Sequence, residues 1–233
     1  MAKAANWRAD REAGAALHPP AAGGPDPRLA AEKYRRHAPG YDASAVRTMP
    51  VRRRAVGLLR LQPGERVLDV ACGTGLSFAP LLEAVGPSGR VVGVEVSPDM
   101  IGLARRRCER HGWRNVELVE AAVEAASLPA RFFDAALFHY THDVLQSPAA
   151  LANVLAAMKP GARIAIAGIK LPPLWLLPAW PWRLLKARPY VTTFRGLGRP
   201  WRRLAPYLDG LTVEPVMLGT NYLAHGALAV GSP

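Results

Sequence analysis

The sequence predicts an α/β protein with a seven-stranded, mostly parallel sheet, helices on both faces and an antiparallel hairpin at the end of the sheet. Three observations carry this prediction. Short apolar runs alternate with helical patterns from Arg66 onward, which is typical of parallel strands covered on both faces. Helix signals separate the runs, with Ser97-Pro98 at a start and Lys159-Pro160-Gly161 at a stop. Two late apolar runs flank Gly219-Thr220-Asn221, which predicts the closing hairpin.

The elements can be placed in chain order. Two helices, 30–41 and 49–61, are expected to pack ahead of the first strand. Another helix is expected at 200–208, after a stretch that is too rich in proline for regular structure. The sequence therefore predicts strands at 66–72, 90–96, 116–120, 133–140, 162–169, 211–218 and 222–230, with helices between them at 76–85, 98–111 and 148–158.

The chain is long enough for one domain with a substantial core, since it has 233 residues and half of them are hydrophobic. Residues 1–28 are rich in Ala, Gly and Pro without periodicity, which indicates a flexible tail. The remainder, 29–233, is predicted to form a single domain with an N-terminal helical cap at 29–62. We interpret 171–195 as an inserted lid, because prolines and tryptophans interrupt it.

The start of the chain and its cysteines bear on location and chemistry. No apolar run as long as a secretory signal follows Met1, so we expect a cytoplasmic protein. Cys72 and Cys108 cannot make a disulfide framework and are interpreted as packed thiols. No Cys/His cluster has metal-ligand spacing, and no metal is predicted.

The run Val67-Leu68-Asp69-Val70-Ala71-Cys72-Gly73-Thr74-Gly75 is the main functional motif. Its glycines would let a ligand approach the backbone between the first strand and its helix. No Gly-Lys-Ser/Thr follows, as a triphosphate loop requires, and Phe78 stands where dinucleotide folds have a third glycine. Asp69 would repel a pyrophosphate and attract a cation.

Glu95 follows at about the twenty-residue interval of acids that bind ribose hydroxyls. S-adenosylmethionine meets these demands, because it has a ribose, an ammonium and a sulfonium but no phosphate.

At these residues the sequence resembles the class I S-adenosylmethionine-dependent methyltransferases. The Ala-Cys-Gly-Thr-Gly form of the loop resembles the quinone-biosynthesis-like small-molecule enzymes within that family. The resemblance covers about 34–169 and implies a Rossmann-like fold. Besides the loop, it rests on Val92-Gly93-Val94-Glu95-Val96-Ser97-Pro98-Asp99-Met100, Phe133-Asp134-Ala135-Ala136-Leu137 and Met158-Lys159-Pro160-Gly161-Ala162-Arg163.

The resemblance also implies which residues hold the cofactor. Glu95 would bind both ribose hydroxyls. Many relatives have an Asp that binds the adenine amino group where this chain has Ala122, so that contact is either lost or moved to the backbone beside Val123. Tyr34 and Tyr41 lie in the region that folds over the cofactor in relatives, and either could close the pocket. The remaining implied cofactor residues are Asp69, Ala71, Gly73 and Gly75 at the methionine end, and Val96 and Met100 beside the adenine.

The methyl acceptor would lie over the carboxyl ends of the strands, where Phe138-His139-Tyr140-Thr141-His142-Asp143 falls. Methyl transfer from a sulfonium is an in-line displacement, for which positioning and desolvation can supply much of the acceleration. A general base is needed only if the acceptor holds a proton. His139, His142 and Asp143 are the candidate bases, and Tyr140 could present its ring to the cationic sulfur. A structural or capping role is an equally open interpretation of all four.

The second informative feature is charge. The formal net charge is +12, and no acidic residue occurs between Asp143 and Asp209 while ten basic residues do. With tryptophans interleaved, this stretch could be a lid over an apolar substrate, a contact with anionic membrane, or a nucleic-acid surface. Arg52-Arg53-Arg54 and Arg105-Arg106-Arg107 are interpreted as solvated helix faces.

The sequence thus predicts methyl transfer from S-adenosylmethionine to an oxygen, nitrogen or carbon of a small, hydrophobic molecule, with a lipid or quinone as a special case. Two alternatives stay open. One is a nucleic-acid methyltransferase, which the absence of an Asp/Asn-Pro-Pro-aromatic run at 139–142 disfavours. The other is a non-catalytic relative that binds cofactor or membrane. The sequence does not indicate an oligomeric state.

Overall fold

The computed structural model describes residues 25–179, 181, 185 and 191–230. Most of the predicted tail, 1–24, lies outside them. The helices are α1 (Pro27–His37), α2 (Tyr41–Ala45), α3 (Met49–Leu58), α4 (Phe78–Val85), α5 (Pro98–His111), α6 (His142–Gln146) and α7 (Pro148–Ala157). The strands are β1 (Arg66–Val70), β2 (Arg90–Glu95), β3 (Val116–Glu120), β4 (Phe133–His139), β5 (Met158–Ile169), β6 (Leu208–Val216) and β7 (Asn221–Leu228).

The strands form one seven-stranded sheet in the order β3-β2-β1-β4-β5-β7-β6. The five strands β1 to β5 pair in parallel, and β7 pairs antiparallel with both β5 and β6. This is the Rossmann-like arrangement with a terminal antiparallel hairpin that the sequence predicts. The carboxyl ends of β1, β2, β3 and β4 therefore lie along one edge, where the order reverses between β1 and β4.

Both faces of the sheet are covered, because alternate residues of the central strands enter different cores. On β1, Leu68 and Val70 pack with α7 and the turns near Leu204, whereas Val67 packs with α3 and α4. All three β1 side chains are fully buried. Burial on both sides explains why these strands are continuous apolar runs in the sequence.

The predicted elements are largely confirmed, with boundary differences that have physical causes. Helix α1 begins at Pro27, inside the predicted tail, since Asp26 caps it by accepting from the Arg28 and Leu29 amides. The predicted helix at 30–41 is divided in the structure. Helix α1 ends at His37, a 3₁₀ turn covers Ala38–Gly40, and Tyr41 begins α2. The predicted helix at 200–208 is wrong. Two short 3₁₀ turns occupy it, because Pro206 removes a helical amide and its ring would collide with the preceding turn.

Strand β5 starts four residues earlier than expected, at Met158. Lys159-Pro160-Gly161 lies inside that strand, where a register shift occurs against β4 between Phe133 and Ala135. The proline tolerates this position because it lies at the irregular beginning of the pairing.

Ion pairs stabilise the edge of the sheet at which the parallel strands begin, opposite their carboxyl ends. The Asp134 carboxylate accepts the Arg66 amide at 2.9 Å and pairs with Lys159, and Glu65 pairs with Arg163.

The predicted lid, 171–195, is only partly among the described residues. A 3₁₀ turn covers Leu174–Ala179, and 191–195 is irregular. Within the described part of the chain, no helix has the length and apolar character to cross a bilayer.

Candidate active site

A pocket opens at the carboxyl edge of the sheet, above the glycine-rich loop that follows β1. In that loop Ala71, Gly73 and Gly75 all have positive φ, at 53°, 60° and 76°. Gly75 is required sterically as well, since a Cβ there would approach the ring of buried Phe78 to 2.4 Å. The turn brings the Gly73 amide to face the end of β2, and Ala71 and Gly73 line the pocket. Gly75 does not.

Glu95 lies at the end of β2, and its carboxylate is fixed by the backbone around it. One oxygen accepts the Gly73 amide at 2.9 Å and the other accepts the Ser97 amide at 2.9 Å. Burial raises the pKa of Glu95, and the hydrogen bonds from Ser97, Gly73 and Val96 act against that rise. A carboxylate offers about four acceptor positions, so Glu95 keeps capacity for a ligand hydroxyl.

Asp69 has a different position from the one the resemblance implies. It is 1% exposed on β1 and does not line the pocket. Burial raises its pKa to about 7, while the Arg52 guanidinium and a hydrogen bond from Ser77 oppose the rise, and nearby Glu95 adds to it. Arg52 also donates to the Ser77 hydroxyl at 2.5 Å. In this structure Asp69 is buried under the glycine-rich loop, where it interacts with Arg52 and Ser77.

The far end of the pocket is formed by Val96, Met100, Ala122, Val123 and Glu124. Val123 begins a 3₁₀ turn after β3, and the Asn153 amide holds that turn by donating to the carbonyls of Val123 and Ala126 at 2.7 and 2.8 Å. Ala122, which replaces the expected aspartate, is buried there. A carboxylate is still present two residues onward, at Glu124, which was not among the predicted site residues.

The opposite side of the pocket comes from the end of β4. His139 and Tyr140 line it, with their rings 4.8 Å apart. Both ring nitrogens of buried His139 lack a partner among the described residues, and burial together with the Arg52 charge holds its pKa well below the usual range. Tyr140 has a φ of 60°, and its hydroxyl accepts from the Asn221 amide at 3.1 Å. Burial raises the pKa of Tyr140 to about 12, so the phenol stays protonated at neutral pH.

Helix α6 adds His142 and Asp143, and the structure separates their roles. The His142 Nε2 lies 2.9 Å from the Arg195 carbonyl, which can only accept, so Nε2 carries the proton and Nδ1 keeps a free lone pair. Burial lowers the pKa of His142, although Asp143 opposes the effect. Asp143 instead accepts the Thr192 amide and hydroxyl at 2.8 and 2.7 Å, and the Thr193 amide at 3.4 Å. It therefore fixes the 191–195 segment beside helix α6.

The N-terminal helices close the pocket from above. Tyr34 and Tyr41 line it and pack edge to face, with centroids 6.1 Å apart. Asp42 ties α2 to the glycine-rich loop, because it accepts the buried Thr74 hydroxyl at 2.6 Å and pairs with Arg107 of α5. We call this group of three residues the Asp42 latch.

Eleven of the thirteen predicted site residues line this pocket in the structure. Asp69 and Gly75 do not. The interpretation of both arginine triplets as solvated was wrong for one member each. Arg52 is 5% exposed beneath the loop, and the Arg107 side chain is 17% exposed in the latch. The signal for Arg52 was present in the sequence, because 52, 55, 56 and 59 follow the helical spacing of a buried stripe.

The charge of the pocket is opposite to that of the protein. Its described lining includes four carboxylates and no lysine or arginine. The carboxylates are Asp26, Glu95, Glu124 and Asp143. Both histidines in the lining have lowered pKa values and are neutral at pH 7. The site therefore favours a cation and disfavours a phosphate.

Comparison with known proteins identifies the domain. Residues 67–161 match the family model described as a methyltransferase domain. These residues carry a methyltransferase domain. Its fold agrees with the crystal structure of a SAM dependent methyltransferase from Aquifex aeolicus, with a TM-score of 0.56 and 21% identity over 76% of this chain and 89% of that one.

Curated methyltransferases show the same relationship in sequence. The domain is 38% identical over 127 residues to aklanonic acid methyltransferase DauC of Streptomyces sp. strain C5, covering 54% of this chain and 58% of that protein. It is 33% identical over 117 residues to the ubiquinone/menaquinone biosynthesis C-methyltransferase UbiE of Pseudomonas putida F1, covering 49% of this chain and 46% of that protein. The chain thus spans about half the length of the curated relatives it matches.

Proposed function

We propose that this protein transfers a methyl group from S-adenosylmethionine to an oxygen, nitrogen or carbon of a small, hydrophobic molecule, with a lipid or quinone as a special case. The observation that carries the proposal is the acidic lining of the pocket in a protein of net charge +12. A phosphate-bearing nucleotide would meet four carboxylates and, in the described lining, no lysine or arginine. A phosphate-free cationic nucleoside fits the same lining.

The residues present fit this cofactor. Glu95 would bind the ribose hydroxyls with its remaining acceptor capacity, and the Ala71–Gly73 backbone would hold the methionine end. Val96, Met100 and Val123 would enclose the adenine, and Glu124 offers an acceptor for its amino group in place of the residue missing at Ala122. When bound, the cofactor supplies an electrophilic methyl group on a sulfonium.

The chain's own part in the transfer is to position the acceptor, exclude water and, where needed, remove a proton. Tyr34, Tyr41 and Val144 give the pocket apolar surface, which suits a hydrophobic acceptor. Of the candidate bases, His142 is best prepared, because its Nε2 is engaged and its neutral Nδ1 is free to accept a proton. His139 also keeps unpartnered nitrogens in the lining, whereas the hydrogen bonds of Asp143 commit it to positioning.

The relatives' names support a small-molecule acceptor, since DauC is named for aklanonic acid and UbiE for ubiquinone and menaquinone.

Glu95→Gln tests the proposal directly. It removes the charge and half of the acceptor capacity facing the ribose, so binding of S-adenosylmethionine should weaken by about 1 to 3 kcal/mol, roughly five- to 150-fold in affinity. Titration calorimetry with S-adenosylmethionine and S-adenosylhomocysteine measures this. Glu120→Gln is the matched control, because Glu120 is the register partner of Glu95 on β3, is exposed and lies outside the lining. No binding by the folded wild-type protein, or equal affinity in Glu95→Gln, would contradict the assignment.

A further inference from the structure

A group of large apolar side chains is exposed beside the pocket. Leu174, Trp175 and Leu218 are 76%, 65% and 73% exposed. Leu171, Phe194 and Met217 are less exposed members of the same group. Burying these side chains would be favourable, and exposed apolar clusters of this kind mark contact sites. We call these six residues the apolar face.

The residues of the apolar face come from three segments that hold one another in place. The Leu171 amide donates to the Leu197 carbonyl at 2.8 Å, which joins the 171–176 segment to the one that carries Phe194. The Lys170 amide donates to the Thr220 carbonyl at 3.0 Å, and Pro173 lies beside Gly219. These contacts join the 171–176 segment to the β6–β7 turn. The three segments are therefore neighbours in the fold.

An open cleft of basic residues continues this surface. Arg195, Arg199, Arg202 and Arg203 line it together with Gln146. All four arginines are exposed, and none forms an ion pair with another residue among those the structure describes. Elsewhere the protein pairs its guanidiniums, as in Arg54 with Glu214 at 2.8 Å. We call these four residues the arginine cleft.

We propose that the apolar face and the arginine cleft together dock this protein on a bilayer of anionic phospholipid. Leucine and tryptophan side chains insert at headgroup depth, and unpaired guanidiniums bind the lipid phosphates beside them. Single-stranded nucleic acid would use the arginines and Trp175, but it gains nothing from exposed leucines. The combination of the two chemistries favours the lipid surface.

The docking surface borders the pocket. Met217 lies 3.9 Å from the Tyr140 hydroxyl, and the Arg195 carbonyl holds His142. A hydrophobic acceptor dissolved in the bilayer would have a short path to the site. Docking itself requires no turnover, so it is measured separately from the proposed methyl transfer.

Co-sedimentation with vesicles tests the proposal. The wild-type protein should bind vesicles of phosphatidylcholine with 30% phosphatidylglycerol, and binding to pure phosphatidylcholine should be at least about tenfold weaker. The triple variant Arg199→Gln/Arg202→Gln/Arg203→Gln should lower partitioning at least about tenfold. Leu174→Ala/Trp175→Ala should lower it severalfold without harming the fold, because both side chains are mostly exposed.

Arg105→Gln/Arg106→Gln/Arg110→Gln is the matched control. It removes the same charge from exposed positions on α5, outside the docking surface, and should leave most of the binding. Equal loss in this control would overturn the proposal, since it would show a response to net charge alone. So would equal binding to neutral vesicles, no vesicle binding at all, or single-stranded RNA displacing the vesicles through the same three arginines.

Discussion

At the scale of single residues, the least expected finding is that Asp69 is buried under the glycine-rich loop with Arg52 and Ser77. Its carboxyl has a raised pKa of about 7, against an ordinary value of 3.8. The folded protein therefore holds this proton more tightly than the unfolded chain does. The contribution of Asp69 to stability is greatest below pH 4 and declines as the pH rises toward 7.

Asp69→Asn isolates this effect. The unfolding free energy of the wild type, relative to the variant, should fall between pH 4 and 7 and then level off. Chemical denaturation of both proteins across this range gives the difference in unfolding free energy. The lowered pKa values of His139 and His142 make stability rise with pH in both proteins, so their contribution cancels in this difference. Asp209→Asn, at an exposed site, is the control variant. A difference that is flat with pH would mean that Asp69 is already ionised at pH 4.

Some residues of the site could be predicted from the sequence, and others could not. Glu95, His139 and His142 were predictable, because each stands at or just after the end of an apolar strand. The positioning role of Asp143 was not predictable, because its partners Thr192 and Thr193 are about fifty residues away in the chain. Spacing along the sequence does not reveal such a contact.

At the scale of elements, the Asp42 latch connects the N-terminal helices to the sheet domain. The latch couples the helix that carries Tyr41 to the loop that carries Gly73, so opening of the helices and ligand binding should be linked. Its carboxylate is 46% exposed, which limits the strength of the ion pair with Arg107.

Asp42→Ala should release this helix. Without the hydrogen bond to Thr74, the amides of Tyr41–Ala45 should exchange with solvent severalfold faster, corresponding to about 1 kcal/mol. Hydrogen exchange read by mass spectrometry measures the change, and S-adenosylmethionine should restore part of the protection. Asp209→Ala serves as the control. Unchanged exchange in Asp42→Ala would show that packing of α1 and α2 alone keeps them closed.

The elements themselves were predictable where helix caps and buried runs coincide. Helix α5 has the predicted bounds, since Ser97 caps it and Gly112 ends it in a left-handed conformation. Prediction failed at 200–208 and at the start of β5, where proline lies within an otherwise regular pattern. There the tertiary contacts, and not the local pattern, decide the conformation.

At the scale of the whole molecule, stability and binding are concentrated at opposite edges of the sheet. Asp134 belongs to a motif that resembles those of methyltransferases, yet it lies at the amino-terminal start of β4, where it binds the Arg66 amide and Lys159. The pocket lies at the other end of the same strand, at His139.

Asp134→Asn should therefore weaken the fold without weakening the site. Loss of the ion pair with Lys159 should lower the unfolding free energy by about 1 to 2 kcal/mol, because both side chains are partly buried. The dissociation constant for S-adenosylmethionine should stay within about twofold at a temperature where both proteins are folded. Thermal denaturation and calorimetry on the same samples separate the two effects. A parallel loss of affinity would show that the two edges are coupled.

The position of β7 has a last consequence for the sheet. Strand β7 bonds to β5 on one side and β6 on the other. Its removal would uncover the edge of a buried parallel strand and leave β6 without a paired strand in the described sheet. Unpaired edges recruit strands from other molecules. We therefore expect the eight residues Asn221–Leu228 to protect the protein against self-association, in addition to completing the sheet.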